Sequence, residues 1–233
     1  MQVAYFSDGQ GICFYSERTD GDTCSMYHGH KLSTESACHE GIASCLGQSN
    51  GFEVIRVAQY HSNDVVEASH FWNDVPQADG IVSGDRSLVP TVMVADCVPV
   101  GLYDKTKGIT AAVHAGWKGL VAGVIENAID FMTAQLGASE VEAVIGPHIC
   151  ARCYEFIGPE SQIVAKSFGS ECFVGEDHSF LDLSACVKKI FDTKGVSMIY
   201  EEKDCTLCSE RFFSYRGGDT TQRIILGVGV VGE

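Results

Sequence analysis

The stretch from Thr91 to Gly119, TVMVADCVPVGLYDKTKGITAAVHAGWKG, leaves this chain few ways to fold. β-Branched and apolar residues run from Thr91 to Ala95, from Val98 to Tyr103 and from Ile109 to Val113, which reads as buried strands. Pro99 predicts an irregularity between the first two. Asp96-Cys97 and His114 fall at strand ends, and the glycine-flanked turn Ala115-Gly116-Trp117-Lys118-Gly119 feeds a helix. Rigid strands aim such groups while the loops beyond leave them open, so chemistry is expected here.

Around this stretch the pattern predicts one mixed α/β domain over residues 1–233. Upstream, Thr34–Ala37 opens a short helix to Leu46 with Gly47 as its stop, and Glu53–Gln59 reads as a strand. Val65–Ala68 continues extended, Pro76–Gly80 is a turn, and Ile81–Ser83 is a short strand. Downstream, Leu120–Leu136 is the clearest helix. Val121, Val124, Ile125, Ala128, Met132 and Leu136 share one face, and Gly137 ends it. Val141–Ile145 is a strand and Glu160–Phe168 a helix. Leu183–Thr193 is a further helix, capped by Asp182 and stopped at Gly195. Val196–Tyr200, Phe212–Tyr215 and Arg223–Val231 are expected to be extended. The first fifty residues, rich in Gly, Ser and Thr, carry little pattern.

A formal charge of −15 excludes nucleic acid and anionic membrane surfaces as partners, since both require basic patches. It leaves room for an anionic small molecule, which needs only a local cation. No apolar run reaches the ~18 residues of a membrane span. Eleven cysteines, an odd count, with no export signal at the start, predict reduced thiols in the cytoplasm rather than a disulfide framework.

His61, Cys97 and His114 each follow an apolar run. Three protein ligands with one open position is the pattern of a catalytic zinc, but long-range spacing is no local signature. Cys97 with His114 equally suits a thiol nucleophile and its base, oriented by Asp96 or Gln59, and both also suit plain core positions. Two C-x-x-C pairs occur, Cys150–Cys153 and Cys205–Cys208. A four-cysteine zinc site usually separates its pairs by ~15–20 residues. The gap here is far longer, so both pairs read as loop features. Gly227-x-Gly229-x-x-Gly232 matches a dinucleotide fingerprint only formally, because one residue follows it and no helix can form there. Phe212-Phe213-Ser214-Tyr215-Arg216 joins aromatic faces to a cation, suited either to a planar base and an anion or to an ordinary amphipathic strand.

Several of these elements together resemble the YfiH family of laccase-domain proteins, also called polyphenol oxidases and later described as purine nucleoside phosphorylases. They are Ala95-Asp96-Cys97-Val98-Pro99-Val100, His114-Ala115-Gly116-Trp117-Lys118-Gly119, Ile145-Gly146-Pro147-x-Ile149 with Tyr154-Glu155, Gln59-Tyr60-His61, Cys205-Thr206, and Phe213-Ser214-Tyr215-Arg216. The resemblance covers Glu53 to Arg223. It implies a layered α/β/β/α fold, His61, Cys97 and His114 as metal ligands, and zinc as the metal, with copper less suited because laccase copper centres need more histidines. It implies phosphorolysis of adenosine, guanosine, inosine and methylthioadenosine, and deamination of adenosine. On that expectation purine nucleosides and phosphate are the partners. Asp96 or Glu155 would move protons, alongside Cys97 and His114 in the catalytic set. Arg18, Lys118 or Arg216 would hold phosphate, Tyr154 and Phe213 would pack on the base, and Gln59 would line the substrate site. The N-terminal signature departs from the family: Phe14–Gly21 and Ser25-Met26-Tyr27 match it poorly, and Lys118 stands where the family commonly has Arg. A thiol hydrolase or amidase built on Cys97 and His114, a copper phenol oxidase and a non-catalytic zinc protein are the alternatives.

Overall fold

Alternation of side chains along the strands builds this molecule in four layers. The computed structural model describes residues 1–47 and 51–231; Gly232 and Glu233, at the end of the formal glycine fingerprint, lie outside them. In chain order the elements are β1 (Gln2–Tyr5), β2 (Gly11–Tyr15), β3 (Tyr27–His28), β4 (Lys31–Leu32), α1 (Ala37–Leu46), β5 (Glu53–Arg56), β6 (Val65–Glu67), β7 (Gly80–Ser83), β8 (Leu88–Val94), β9 (Val98–Asp104) and β10 (Ile109–Ala115). Then follow α2 (Trp117–Ala122), α3 (Val124–Asp130), β11 (Val141–Ile145), α4 (Pro159–Phe168), β12 (Phe173–Val174), β13 (Phe180–Leu181), α5 (Leu183–Lys194), β14 (Ser197–Glu201) and β15 (Ile224–Val230).

One sheet has the order β1-β2-β15-β8-β5-β4-β3 and the other β14-β11-β9-β10-β7-β6, with β12 and β13 paired apart. Cys13 and Tyr15 of β2 point into the core between the sheets, while Ile12 and Phe14 point outward to Ile42 and Leu46 of α1. In the second sheet Val100 and Leu102 face α2, α3 and α5, and Tyr103 faces the first sheet. A period of two thus serves two cores from each strand. The resulting order, helix, sheet, sheet, helices, is the expected α/β/β/α arrangement. Among the described residues no helix is long and apolar enough to cross a membrane.

Several local expectations change. The helix expected over Leu120–Leu136 is broken at Gly123, whose φ of +90° caps α2 and starts α3, and a π turn, Phe131–Gln135, completes it. The apolar spacing runs unbroken through Gly123, so periodicity did not reveal the kink. Pro99 does not disturb β9. It pairs in register with His114, and its carbonyl accepts the Gly146 amide at 2.9 Å. In an antiparallel strand its missing N–H falls on the same side, just past the last β9–β11 pair, Val100–Ile145. Phe212–Tyr215 is an irregular, turning segment rather than a strand, buried from Phe212 to Ser214 and exposed at Tyr215. Asp182 caps α5 by accepting the Ala185 amide at 2.9 Å, as expected. Residues 1–47 form α1, as expected, and four edge or near-edge strands that the sequence did not display.

The two sheets come close together at Gly101. A Cβ there would lie 2.7 Å from Cys13 Sγ and 2.8 Å from Val228 Cγ2, both on the opposite sheet. Gly101→Ala should therefore destabilise by about 1–3 kcal/mol through overpacking. That corresponds to a fall of roughly 2–12 °C in Tm for a chain of this size. A thermal melt checks it, and an unchanged Tm would show that the sheets relax apart freely.

Candidate metal centre and substrate cavity

At one end of the sandwich the chain changes sheets three times, and two of these crossings carry candidate ligands. Between β5 and β6 it crosses through His61, and between β8 and β9 through Asp96-Cys97. His114 comes from the end of β10, alternating with Val113 and Ala115 so that it faces away from the helices. These three meet: one ligand atom from each lies within 4.8 Å of the others. Cys97 Sγ is 3.7 Å from His61 Nε2, and the two imidazole rings stand edge-on with centroids 4.8 Å apart. Gly116 allows this closeness, since a Cβ there would sit 2.8 Å from His61 Cδ2 and 3.0 Å from Cys97 Sγ.

Asp79 holds the arrangement from beneath. Its side chain is fully buried, and its carboxylate accepts the amides of Tyr60, His61 and Ser62, the Ser62 hydroxyl, and His114 Nδ1 at 2.7 Å. Burial raises its pKa, but the bonds from His114 and Ser62 outweigh that and hold it at about 2. With Nδ1 committed to Asp79, His114 presents Nε2 to the cluster, the arrangement that orients metal-bound histidines. Burial alone would push the Cys97 thiol up. The neighbouring His114 charge and the bonds from His114 and His61 outweigh it and bring Cys97 down to about 6. Burial would lower His114, yet Cys97 and Asp79 raise it to about 9. A thiolate and an oriented imidazole are the donors zinc requires, so the trio fits a three-ligand metal with a further position open to the cavity. Asp79 was missed in the sequence, where Pro76–Gly80 reads only as a turn.

The backbone here is strained. His61 and Asp96 have φ of +66° and +94°, values uncommon for residues other than glycine. Each is pinned: His61 by Asp79, and Asp96 by accepting the Thr206 hydroxyl at 2.6 Å and the Arg216 amide at 2.7 Å, while its carbonyl accepts the Ile149 amide. Such positions persist where the surroundings over-determine them, typically at functional sites.

The trio opens into a cavity of about 580 Å³, well within the range of small-molecule sites. Gln59, His61, Asp96, Cys97, His114, Lys118, Tyr154 and Arg216 all line it. So do Trp117 and Met93, Leu183, Tyr215 and Arg223, of which only Trp117 and Tyr215 stood out in the sequence. Gln59 is fully engaged, its amide group donating to the Met93 carbonyl at 2.7 Å and accepting the Met93 amide at 2.8 Å. Lys118 lies over the Trp117 ring and Arg216 over the Tyr154 ring, and no ion pair holds either among the described residues. The structure does not bring the other three expected residues to the cavity. Arg18 is paired with Asp219 at 2.6 Å, Phe213 is buried under the Arg18 guanidinium, and Glu155 points to solvent.

Residues 14–230 match the family described as multi-copper polyphenol oxidoreductase laccase. The chain belongs to this family. A relative from Streptomyces coelicolor, named a purine nucleoside phosphorylase, is 39% identical over 178 residues, 73% of this chain and 72% of its own. Another of that name, from Campylobacter jejuni, is 34% identical over 193 residues, covering 80% and 81% of the two chains. Among solved structures, a Neisseria meningitidis protein superposes with a TM-score of 0.79 at 26% identity over 99% of both chains. The Bacillus licheniformis protein YfiH shares the fold at a TM-score of 0.74 and 20% identity, over 94% of this chain and 92% of that one.

Proposed function

We propose that this laccase-family chain is a zinc-dependent purine nucleoside phosphorylase acting on adenosine, inosine, guanosine and methylthioadenosine. One observation carries the reading: the convergent His61–Cys97–His114 trio opens into a cavity where Lys118 and Arg216 have no acidic partner, in a chain of net charge −15. Unpaired cations inside an acidic protein mark a place kept for an anion. The names of the relatives from Streptomyces and Campylobacter supply the reaction class.

His61, Cys97 and His114 would hold the zinc. When bound it supplies Lewis acidity at the cavity floor. Lys118 and Arg216 hold phosphate by charge-assisted hydrogen bonds, with Arg216 placed over Tyr154 so that anion and aromatic face are adjacent. The purine packs on Tyr154, and the walls of Trp117, Met93 and Leu183 exclude water. A phosphate oxygen then forms a bond to the anomeric carbon as the glycosidic C–N bond breaks. The bonding pair leaves with the purine, which takes up a proton, and the sugar remains as its 1-phosphate, ribose 1-phosphate from the ribonucleosides and its 5-methylthio analogue from methylthioadenosine. Asp96 is a positioning residue in this scheme, because both its carboxylate oxygens are already occupied.

Adenosine deamination draws less support. It needs a carboxylate to move protons, and Asp96 is the one acidic residue lining the cavity. Copper likewise has weaker support, since three ligands suit zinc better than a laccase copper array. A thiol hydrolase has its own observation: Cys97, His114 and Asp79 line up as nucleophile, base and orienting acid. That reading gives no role to His61, which the Gly116 cradle places against Cys97.

Incubation with each nucleoside, with and without phosphate, tests the proposal. The expected result is free base and the corresponding sugar 1-phosphate, formed only with phosphate and abolished by chelation. Base release independent of phosphate, or none from any nucleoside, would overturn it. Activity that survives chelation but not thiol alkylation would establish the hydrolase instead.

A further inference from the structure

The fold closes the gap that separates the two C-x-x-C pairs. The sulfurs of Cys150, Cys153, Cys205 and Cys208 lie within 4.8 Å of one another, although Cys150 and Cys205 are 55 residues apart. In a tetrahedral tetrathiolate with Zn–S bonds of ~2.3 Å, the sulfurs stand about 3.8 Å apart. The cluster therefore needs little adjustment to close on one ion.

Local geometry points the same way. Each pair sits on a tight turn: the Cys153 amide donates to the Cys150 carbonyl at 2.9 Å, and the Ser209 amide to the Cys205 carbonyl at 3.0 Å. The Cys150 amide also donates across the gap to Cys205 Sγ at 3.2 Å. Amide donors aimed at a sulfur are suited to a thiolate. Cys153 and Cys208 Sγ face each other at 3.0 Å, and none of the four is in a disulfide. Cys205 is buried, Cys150 and Cys153 are half-buried, and Cys208 is exposed, so an ion has a route in from solvent.

We propose that Cys150, Cys153, Cys205 and Cys208 form a second, structural zinc site. Binding releases the four thiol protons to solvent and leaves a closed coordination shell with no position for substrate. Its role is to hold one wall of the cavity. Thr206, between two of the ligands, donates its hydroxyl to Asp96 and its amide to the His148 carbonyl at 3.0 Å. Tyr154, which lines the cavity, directly follows Cys153. The ion would thus fasten the loop bearing Tyr154 to the loop that pins Asp96, next to Cys97. This site stands independently of the phosphorylase reading.

The test is metal analysis of protein purified under reducing conditions without chelator. His61→Ala/His114→Ala removes the first trio and should retain about one zinc per chain. Loaded with cobalt instead, that variant should show the charge-transfer and ligand-field bands of a tetrahedral tetrathiolate. Adding Cys153→Ser/Cys208→Ser should abolish both signals. Because that change can impair folding, Cys208→His is compared with Cys208→Ser: the histidine restores a zinc ligand and should retain the ion and the wild-type Tm, and the serine should lose both. No metal in the His61→Ala/His114→Ala protein overturns the proposal. So does iron in place of zinc, or a Cys153–Cys208 disulfide found by mass spectrometry after alkylation in denaturant.

Discussion

His114→Ala should empty the trio of metal and lower phosphorolysis by on the order of 10³-fold or more. The expectation rests on position. His114 is 4% exposed at the end of β10, and its two ring nitrogens serve Asp79 on one side and the cluster on the other. Alanine removes a ligand that neither water nor a neighbouring side chain can replace from the same direction. Two ligands, His61 and Cys97, remain, both on crossings between sheets and without the anchor a strand provides. Metal content by mass spectrometry and turnover with phosphate check it together, with a thermal melt to confirm folding. Full metal content with undiminished turnover would remove the trio from the reaction.

Asp79→Ala should cost about 3–5 kcal/mol of stability, the range for removing one member of a buried charged pair. For a chain of this length that lowers Tm by roughly 6–20 °C. The loss has two sources. Three amides, of Tyr60, His61 and Ser62, lose their acceptor in the interior, and His114 loses the partner that fixes its orientation. Asp79→Asn separates them. It keeps an acceptor for the Tyr60 and Ser62 amides, which share one oxygen, but no charge for His114, so it should weaken metal affinity some 10–100-fold with a smaller loss of stability. Metal titration and melting of both variants decide it. A variant as stable as the parent, with unchanged affinity, would reduce Asp79 to a bystander.

The trio was legible because strands declare themselves. Runs such as Thr91–Ala95 and Ile109–Val113 can only be buried, and whatever follows them is displayed at a sheet end. The family resemblance then turned three candidate residues into a ligand set. Asp79 was illegible because its partners sit in different segments, and a lone Asp before a short strand carries no periodic signal. Spacing along the chain misled for the cysteine pairs, since distance in sequence says nothing about loops that the sheets bring together. Gly123 was hidden because hydrophobic periodicity continues across it. Phe212 and Phe213 were apolar enough for a strand, yet their segment is held as a turn by Asp219, which accepts the Ser214 amide at 2.9 Å, and by Arg18, which donates to the Phe212 carbonyl at 2.9 Å.

The two crossings through His61 and Cys97 give the molecule a seam. Each is a single thread passing from one plate of the sandwich to the other, and the two lie side by side. An ion gripping both, together with His114 from the second plate alone, would work as a rivet through lapped sheets. Shear of one plate against the other would then be resisted beside the cavity proposed for substrate. Opening the seam and releasing the ion would become one event, so a bound metal would report on the alignment of the whole sandwich as well as on its own three ligands.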